Sequence, residues 1–261
     1  MKRLVVLSIL LLAWLSNVAA ERGPSLKDVL SQVRHNVQDS WASLPDFVCK
    51  ERITSQASED GGITKKRVIE SIFTGANGER GKRSVMTESR EVLSIDGVAV
   101  PKGTDMPDAP LLPDGSTANL LFASFVVDAH NYKMGTMEYP DVAADHKALR
   151  IDFASRKDQK TLVFAYEQKP FVAKVTGKGW IDLDSMQVIR LELHILNMPG
   201  VDAFATTAYY EPLILDGRRF WLPRTVHAES IGAKGRKSDY VASFTAEYTN
   251  CRKFDVTVRI Q

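Results

Sequence analysis

Val188-Ile189-Arg190-Leu191-Glu192-Leu193-His194-Ile195 is the stretch whose reading decides the fold. Ile189, Leu191, Leu193 and Ile195 fall on one side of an extended chain, and Arg190, Glu192 and His194 on the other. Side chains of a strand alternate between faces, so this pattern predicts a half-buried antiparallel strand with one apolar and one polar face. Before it, Gly179-Trp180-Ile181-Asp182 reads as a partner strand, with a turn near Asp184-Ser185. After it, Leu213 to Pro223 holds Asp216-Gly217 between apolar runs, a strong hairpin signal.

The same reading extends in both directions. Residues 148–153, 161–167, 171–176, 240–248 and 254–260 read as further strands. On the N-terminal side, Phe47 to Ser55 and Ile63 to Phe73 alternate around Glu59-Asp60-Gly61-Gly62, and Asn77-Gly78 and Asp96-Gly97 mark turns. Pro101, Pro107, Pro110 and Pro113 make residues 101–116 a loop. Two helices complete the pattern. Ser25-Leu26-Lys27-Asp28 is a capping-box variant, and Leu26, Val29, Leu30, Val33, Val37, Trp41 and Leu44 follow as one apolar stripe that Pro45 ends. Residues 117–128 form a short helix that is apolar nearly all round, with Leu120, Leu121, Phe122, Phe125, Val126 and Val127. Such a helix must be buried, as a cover for the sheet. The expected class is α+β and mostly antiparallel β: one large sheet, an N-terminal amphipathic helix and a short covering helix. Residues 21–261 read as a single domain without repeats or a linker.

Residues 1–20 set the compartment. Lys2 and Arg3 precede an apolar run from Leu4 to Leu15, and Val18 and Ala20 place small residues where a signal peptidase reads. This predicts an export signal cleaved after Ala20. The run of about a dozen residues falls short of the roughly 20 that a spanning helix needs. The next residue is Glu21 rather than the Cys that carries a lipoprotein's acyl chains, so no lipid anchor is expected. The mature chain is then expected in the periplasm or outside the cell, without a transmembrane anchor. Cleavage brings the 34 basic residues to 32, equal to the 32 acidic ones, so the formal charge of +2 belongs to the signal. A neutral chain has no long-range field to gather nucleic acid or an anionic membrane, and no nucleic-acid partner is expected. Hydrophobic residues make up 44% of the chain, enough for a sizeable core.

Cys49 and Cys251 are the two cysteines. An even pair in an oxidising compartment predicts one disulfide, and two unpaired buried thiols are the alternative. The bridge would tie the first extended segment to the last, with about 5 kcal/mol of stabilisation on the chain-entropy model. No C-x-x-C spacing suggests a redox-active pair.

Motifs for chemistry are sparse. His35, His130, His146, His194 and His227 lack the spacing of a metal site, and neither a metal nor an organic cofactor is expected. No nucleophile elbow, P-loop or dinucleotide-binding glycine pattern is present, so no catalytic residues are assigned. Arg190, Glu192 and His194 read as a cross-strand polar surface. Gly177 and Gly179 enter a strand, which suits a bulge or close packing.

Gly179-Trp180-Ile181-Asp182, followed by Val188-Ile189-Arg190-Leu191-Glu192, resembles the LolA/LolB-type lipoprotein carriers. Tyr209-Tyr210, Asp216-Gly217 and Leu222-Pro223 are similar to the next hairpin of that superfamily, and the Ser25 to Leu44 helix takes the leading place. The segments Leu44 to Cys49 and Asn250 to Phe254 look like those of a group of exported bacterial proteins. The resemblance implies a curved half-barrel around an apolar cavity closed by helices. It further implies binding of a lipid, an acyl chain or a lipoprotein. Ile189, Leu191, Leu193 and Ile195 would then line the cavity, with Phe122 and Phe125 in its lid. The expected function is non-enzymatic binding of a hydrophobic ligand or lipid-modified partner in the cell envelope. A packed interaction or sensor domain and a hydrolase without recognisable motifs are the other readings.

Overall fold

The computed structural model describes residues 25–80, 83–113, 132–143, 146–157, 163–166, 169–232 and 239–254. The export signal and the covering helix of residues 117–128, with Phe122 and Phe125, lie outside them. The described elements are α1 (Leu26–Ser43), β1 (Phe47–Glu59), β2 (Gly62–Arg80), β3 (Arg83–Ile95), β4 (Val98–Ala99), β5 (Tyr132–Ala143), β6 (His146–Ser155), β7 (Val163–Tyr166), β8 (Lys169–Val172), β9 (Val175–Asp182), β10 (Val188–Ile195), β11 (Ala203–Leu215), β12 (Arg218–Ile231) and β13 (Val241–Lys253).

Eleven strands form one sheet in the order β4-β3-β2-β1-β13-β12-β11-β10-β9-β6-β5, and β7 pairs with β8 apart from it. The large sheet is open, with β4 and β5 at its edges. Its neighbours are antiparallel throughout. Three hairpins turn on Asp60-Gly61, Asp96-Gly97 and Asp216-Gly217, each with positive φ at both residues. That geometry matches the twist of the flanking strands, and Asp and Gly tolerate it at low cost.

Several sequence expectations shift. Asn77-Gly78 is not a turn: it pairs with Val85 and Met86 inside the β2–β3 ladder. Residues 171–176 are not one strand, because the chain breaks at Ala173-Lys174 between β8 and β9. A strand at 132–143 was not expected, since its sequence does not alternate cleanly. Phe254 lies just past β13, and residues 255–261 are outside the described chain.

The helix begins where Ser25 caps it. Ser25 Oγ accepts a hydrogen bond from the Asp28 amide at 3.3 Å and donates to Asp28 Oδ2 at 2.6 Å. Val29, Val33 and Val37 recur every fourth residue and are buried in the main core. Each contributes roughly 1.5 kcal/mol or more by leaving water. Asn36 Nδ2 donates to the carbonyls of Ser185 and Met186 at 3.3 and 3.0 Å, which fastens α1 to the β9–β10 turn.

The proline-rich loop is a strap over the same face. Val100, Met106, Leu111 and Leu112 pack on the main core. Ser55, fully buried on β1, donates from Oγ to the Leu111 carbonyl at 2.7 Å and accepts from the Leu111 amide at 3.1 Å. One hydroxyl thus satisfies both backbone groups of a strap residue that cannot join the sheet. Lys65 and Asp108 pair at 2.7 Å at the margin.

Cys49 and Cys251 form a disulfide between residues 202 positions apart. It joins β1 to β13, which are neighbours in the sheet. Their register shifts between Val48 and Lys50, and Asn250 takes the left-handed conformation (φ 51°). This is a bulge at which asparagine is well tolerated, and it brings the two cysteines face to face.

Candidate functional site

The face of the sheet that carries α1 and the strap holds the main core. Its middle has a floor of small side chains. Ala57, Ala208, Ala228, Ala242 and Ala246 are all buried there, on β1, β11, β12 and β13. They are linked by register: Ala57 opposes Ala242, Ala228 opposes Phe244, and Val226 lies between Ala208 and Ala246. Larger residues flank this recess, with Ile53 and Phe244 on one side and Leu191 on the other. Close packing also explains Gly177, where a Cβ would run into the Glu192 carbonyl and the Phe153 ring.

Of the residues predicted to face a cavity, Leu191, Leu193 and Ile195 join this core. Ile189 does not. It is buried in a second cluster with Ala148, Trp180 and Trp221. The cause is a bulge between Val188 and Arg190 against β9, which puts Val188 into the main core and removes Ile189 from it. Two small cavities lie along the inner face. One of about 30 Å³ is enclosed by Val37, Trp41 and Leu44 of the helix side and by Phe220 and Leu222 of β12. The other, about 10 Å³, is lined by Phe47, Phe73, Leu222, Tyr248 and both cysteines. Leu222 belongs to both walls.

The inner face also holds charge. Glu51 sits on β1 in line with the inward-facing Cys49, Ile53 and Ser55, and is 2% exposed. Ser71 Oγ donates to Glu51 Oε2 at 2.7 Å. Arg90 Nε donates to Glu51 Oε2 at 2.9 Å and to Oε1 at 3.1 Å. Arg90 Nη1 reaches Glu88 Oε2 at 3.4 Å. The guanidinium lies 5.1 Å from the centre of the Phe73 ring, which meets Tyr248 edge-on at 5.2 Å. The Arg90 side chain is 10% exposed, that of Glu88 7% and that of Glu51 0%. Burial by itself would lower the Arg90 pKa, but the adjacent Glu51 carboxylate outweighs it and holds the guanidinium above its ordinary value. Arg90 Nη2 is buried and has no hydrogen-bond acceptor among the described residues. Sequence reasoning passed over this group. Its signal was a charge at an inward position of a period-two pattern, visible for Glu51 between Cys49 and Ile53.

On the opposite face, register aligns Arg150, Trp180, Arg190, Tyr209, Thr225, Glu247, Arg52, Glu70 and Ser94 in one row across nine strands. Arg190 lies 4.4 Å from the Trp180 ring and 5.3 Å from the Tyr209 ring, and it pairs with Glu192. Arg52 pairs with Glu70 at 3.2 Å. The polar surface expected of Arg190 and Glu192 is thus a cation–aromatic and ion-pair ladder. A groove of about 350 Å³ is lined by Arg52, Glu70, Arg224 and Glu247, and also by Glu51 and Ser71.

Fold and site together define an open antiparallel sheet that keeps a helix, a strap and a buried arginine–carboxylate pair on one face. No family model matches the chain, and no curated protein matches it. Among solved structures, it is similar to a DUF1329 family protein from Desulfovibrio piger, with 9% identity, TM-score 0.42, and 89% of this chain and 94% of that chain covered. It is also similar to a LolA superfamily protein from Nitrosomonas europaea, with 13% identity, TM-score 0.36, and 86% and 95% covered. MucB in complex with MucA(peri) follows at 12% identity and TM-score 0.22, with 85% and 98% covered. Among the described residues, no helix is long and apolar enough to cross a membrane.

Proposed function

We propose that this protein is exported to the cell envelope and there shields a hydrophobic ligand, an acyl chain or a lipid-modified partner from water, without catalysing a reaction. The observation that carries this reading is the apolar middle of the inner face with its alanine floor, covered along one seam by α1. That helix is anchored at the sheet by the two Asn36 hydrogen bonds, and a small void already lies in the seam. Displacing α1 exposes a surface that fits an unbranched chain. Covering apolar surface is worth about 25 cal/mol per Å², so about 300 Å² of covered chain corresponds to about 7 kcal/mol. In this reading the sheet curves as a half-barrel around the ligand. Leu191, Leu193 and Ile195 line it, and the segment with Phe122 and Phe125 covers it.

The test has two parts. Protein purified from the periplasm is analysed by mass spectrometry for co-purified lipid, and the delipidated protein is titrated with a pyrene-labelled alkyl chain that has no charged end. Saturable uptake of the probe is expected. No uptake at any concentration short of precipitation overturns the reading in favour of a packed interaction domain.

A further inference from the structure

Arg90 has three nitrogens that donate hydrogen bonds, and two are spoken for. Nε serves Glu51 and Nη1 serves Glu88. Among the described residues Nη2 is left without an acceptor, although the side chain is nine-tenths buried. A buried donor without a partner is rare, because it has lost its water and gained nothing in return. The surroundings add a constraint of sign. One guanidinium stands against two carboxylates, Glu51 and Glu88. A third anion would meet two buried like charges in a medium that screens poorly, whereas a neutral oxygen would meet only the free N–H.

The voids of the inner face lie among neighbours of this group. The cavity at the α1 seam and the second cavity are both lined by Leu222. That second cavity is bounded by Phe73 and Tyr248, and Arg90 lies over Phe73. The second cavity and the guanidinium thus share one neighbour, the Phe73 ring.

We propose that Arg90 Nη2 is the polar subsite of the inner face, taking the carbonyl oxygen of an uncharged ester or amide on an apolar chain and disfavouring free carboxylates. This specifies the ligand class for the apolar site above and rests on that reading. Glu51 and Ser71 hold the guanidinium in place, and Glu88 supplies the negative charge that excludes anions.

Pyrenedodecanoate, its methyl ester and the uncharged pyrene-labelled alkyl chain, titrated into the delipidated protein, form the test. The ester is expected to bind about tenfold tighter than the carboxylate and about tenfold tighter than the alkyl chain, the worth of one good hydrogen bond. Glu88→Gln removes one of the two carboxylates. It is expected to tighten the carboxylate by about tenfold relative to the ester. The double variant Glu51→Gln with Arg90→Gln removes the donor and its partner together, and should cost the ester its advantage over the alkyl chain. Equal binding of ester and carboxylate by the unmodified protein, or an unchanged ratio in Glu88→Gln, overturns the proposal. These two measurements decide even if the double variant does not fold. If the alkyl chain itself fails to bind, it is the carrier reading that falls. If it binds and the ester gains nothing over it, only the Arg90 subsite falls.

Discussion

On β1 to β3 the inner face carries Glu51, Ser71, Glu88 and Arg90, while on β10 to β12 it carries Leu191, Ala208, Val226 and Ala228. Both regions belong to one continuous sheet, and the charged one keeps slightly more exposure, at Glu88 and Arg90. The second solves burial by volume alone. The first takes charges out of water and then has to match each with a partner. A buried ion pair is weak evidence of stability, since a well-packed apolar substitute is often as stable. The contrast therefore gives the inner face a direction, with a polar end at Arg90 and an apolar end at Leu191.

Five experiments break or sharpen that contrast. Replacing both cysteines by Ala in protein purified from an oxidising compartment should lower unfolding stability by about 5 kcal/mol, read from urea midpoints. A loss equal to that seen on reducing the unmodified protein assigns it to the bridge. Arg90→Met leaves Glu51 and Glu88 buried without their cation and should cost about 4 kcal/mol. If it costs less than the next variant, water reaches the charged end and the contrast fails. Leu191→Ala removes volume only, and should cost about 3 kcal/mol with no dependence on pH between 5 and 8, by thermal and urea unfolding at about those limits. Ser55→Ala strands the Leu111 amide and carbonyl and should cost about 2 kcal/mol. Faster hydrogen exchange confined to the strap and the Ser55 region would place the effect. The smallest change is expected at Asp96, outside both regions. Its carboxylate accepts the Val68 amide, and Arg67 adds to this, so its pKa is held below the ordinary 3.8. A lowered folded value stabilises above the unfolded pKa, and the gain is lost as pH falls through the folded one. Asp96→Asn should therefore flatten the acid limb of a melting-temperature profile below about pH 4, and leave neutral pH nearly unchanged.

The strands that sequence located best are those with both alternation and a turn that needs positive φ. β10, and the hairpins at Asp60-Gly61 and Asp216-Gly217, are of this kind. Asn77-Gly78 carried the same turn chemistry but lies within a ladder, because pairing with β3 continues past it. Local propensity gave way to tertiary context. The face of Ile189 was misread for a similar reason: a bulge depends on the partner strand, and no single strand announces it. The disulfide was legible from compartment and count, whereas its position on adjacent strands was not. Glu51 could have been suspected from its place between Cys49 and Ile53. Arg90 could not, because its reach to Glu51 depends on β3 lying beside β2 and β2 beside β1.

The pairing of β1 with β13 has a consequence for how the molecule is assembled. Every other neighbour in the β4-to-β1 block, and most in the β5-to-β13 block, can pair soon after both strands exist. The join between the two blocks cannot form until the final strand of the sheet is available. Contacts so distant in sequence carry the largest closure entropy and form slowly. Until then each block presents a bare edge, at β1 and at β13 or β12, ready to pair with the wrong chain. The Cys49–Cys251 bridge is thus a latch on the last step of assembly, and an oxidant that arrives before β13 has docked has nothing native to seal.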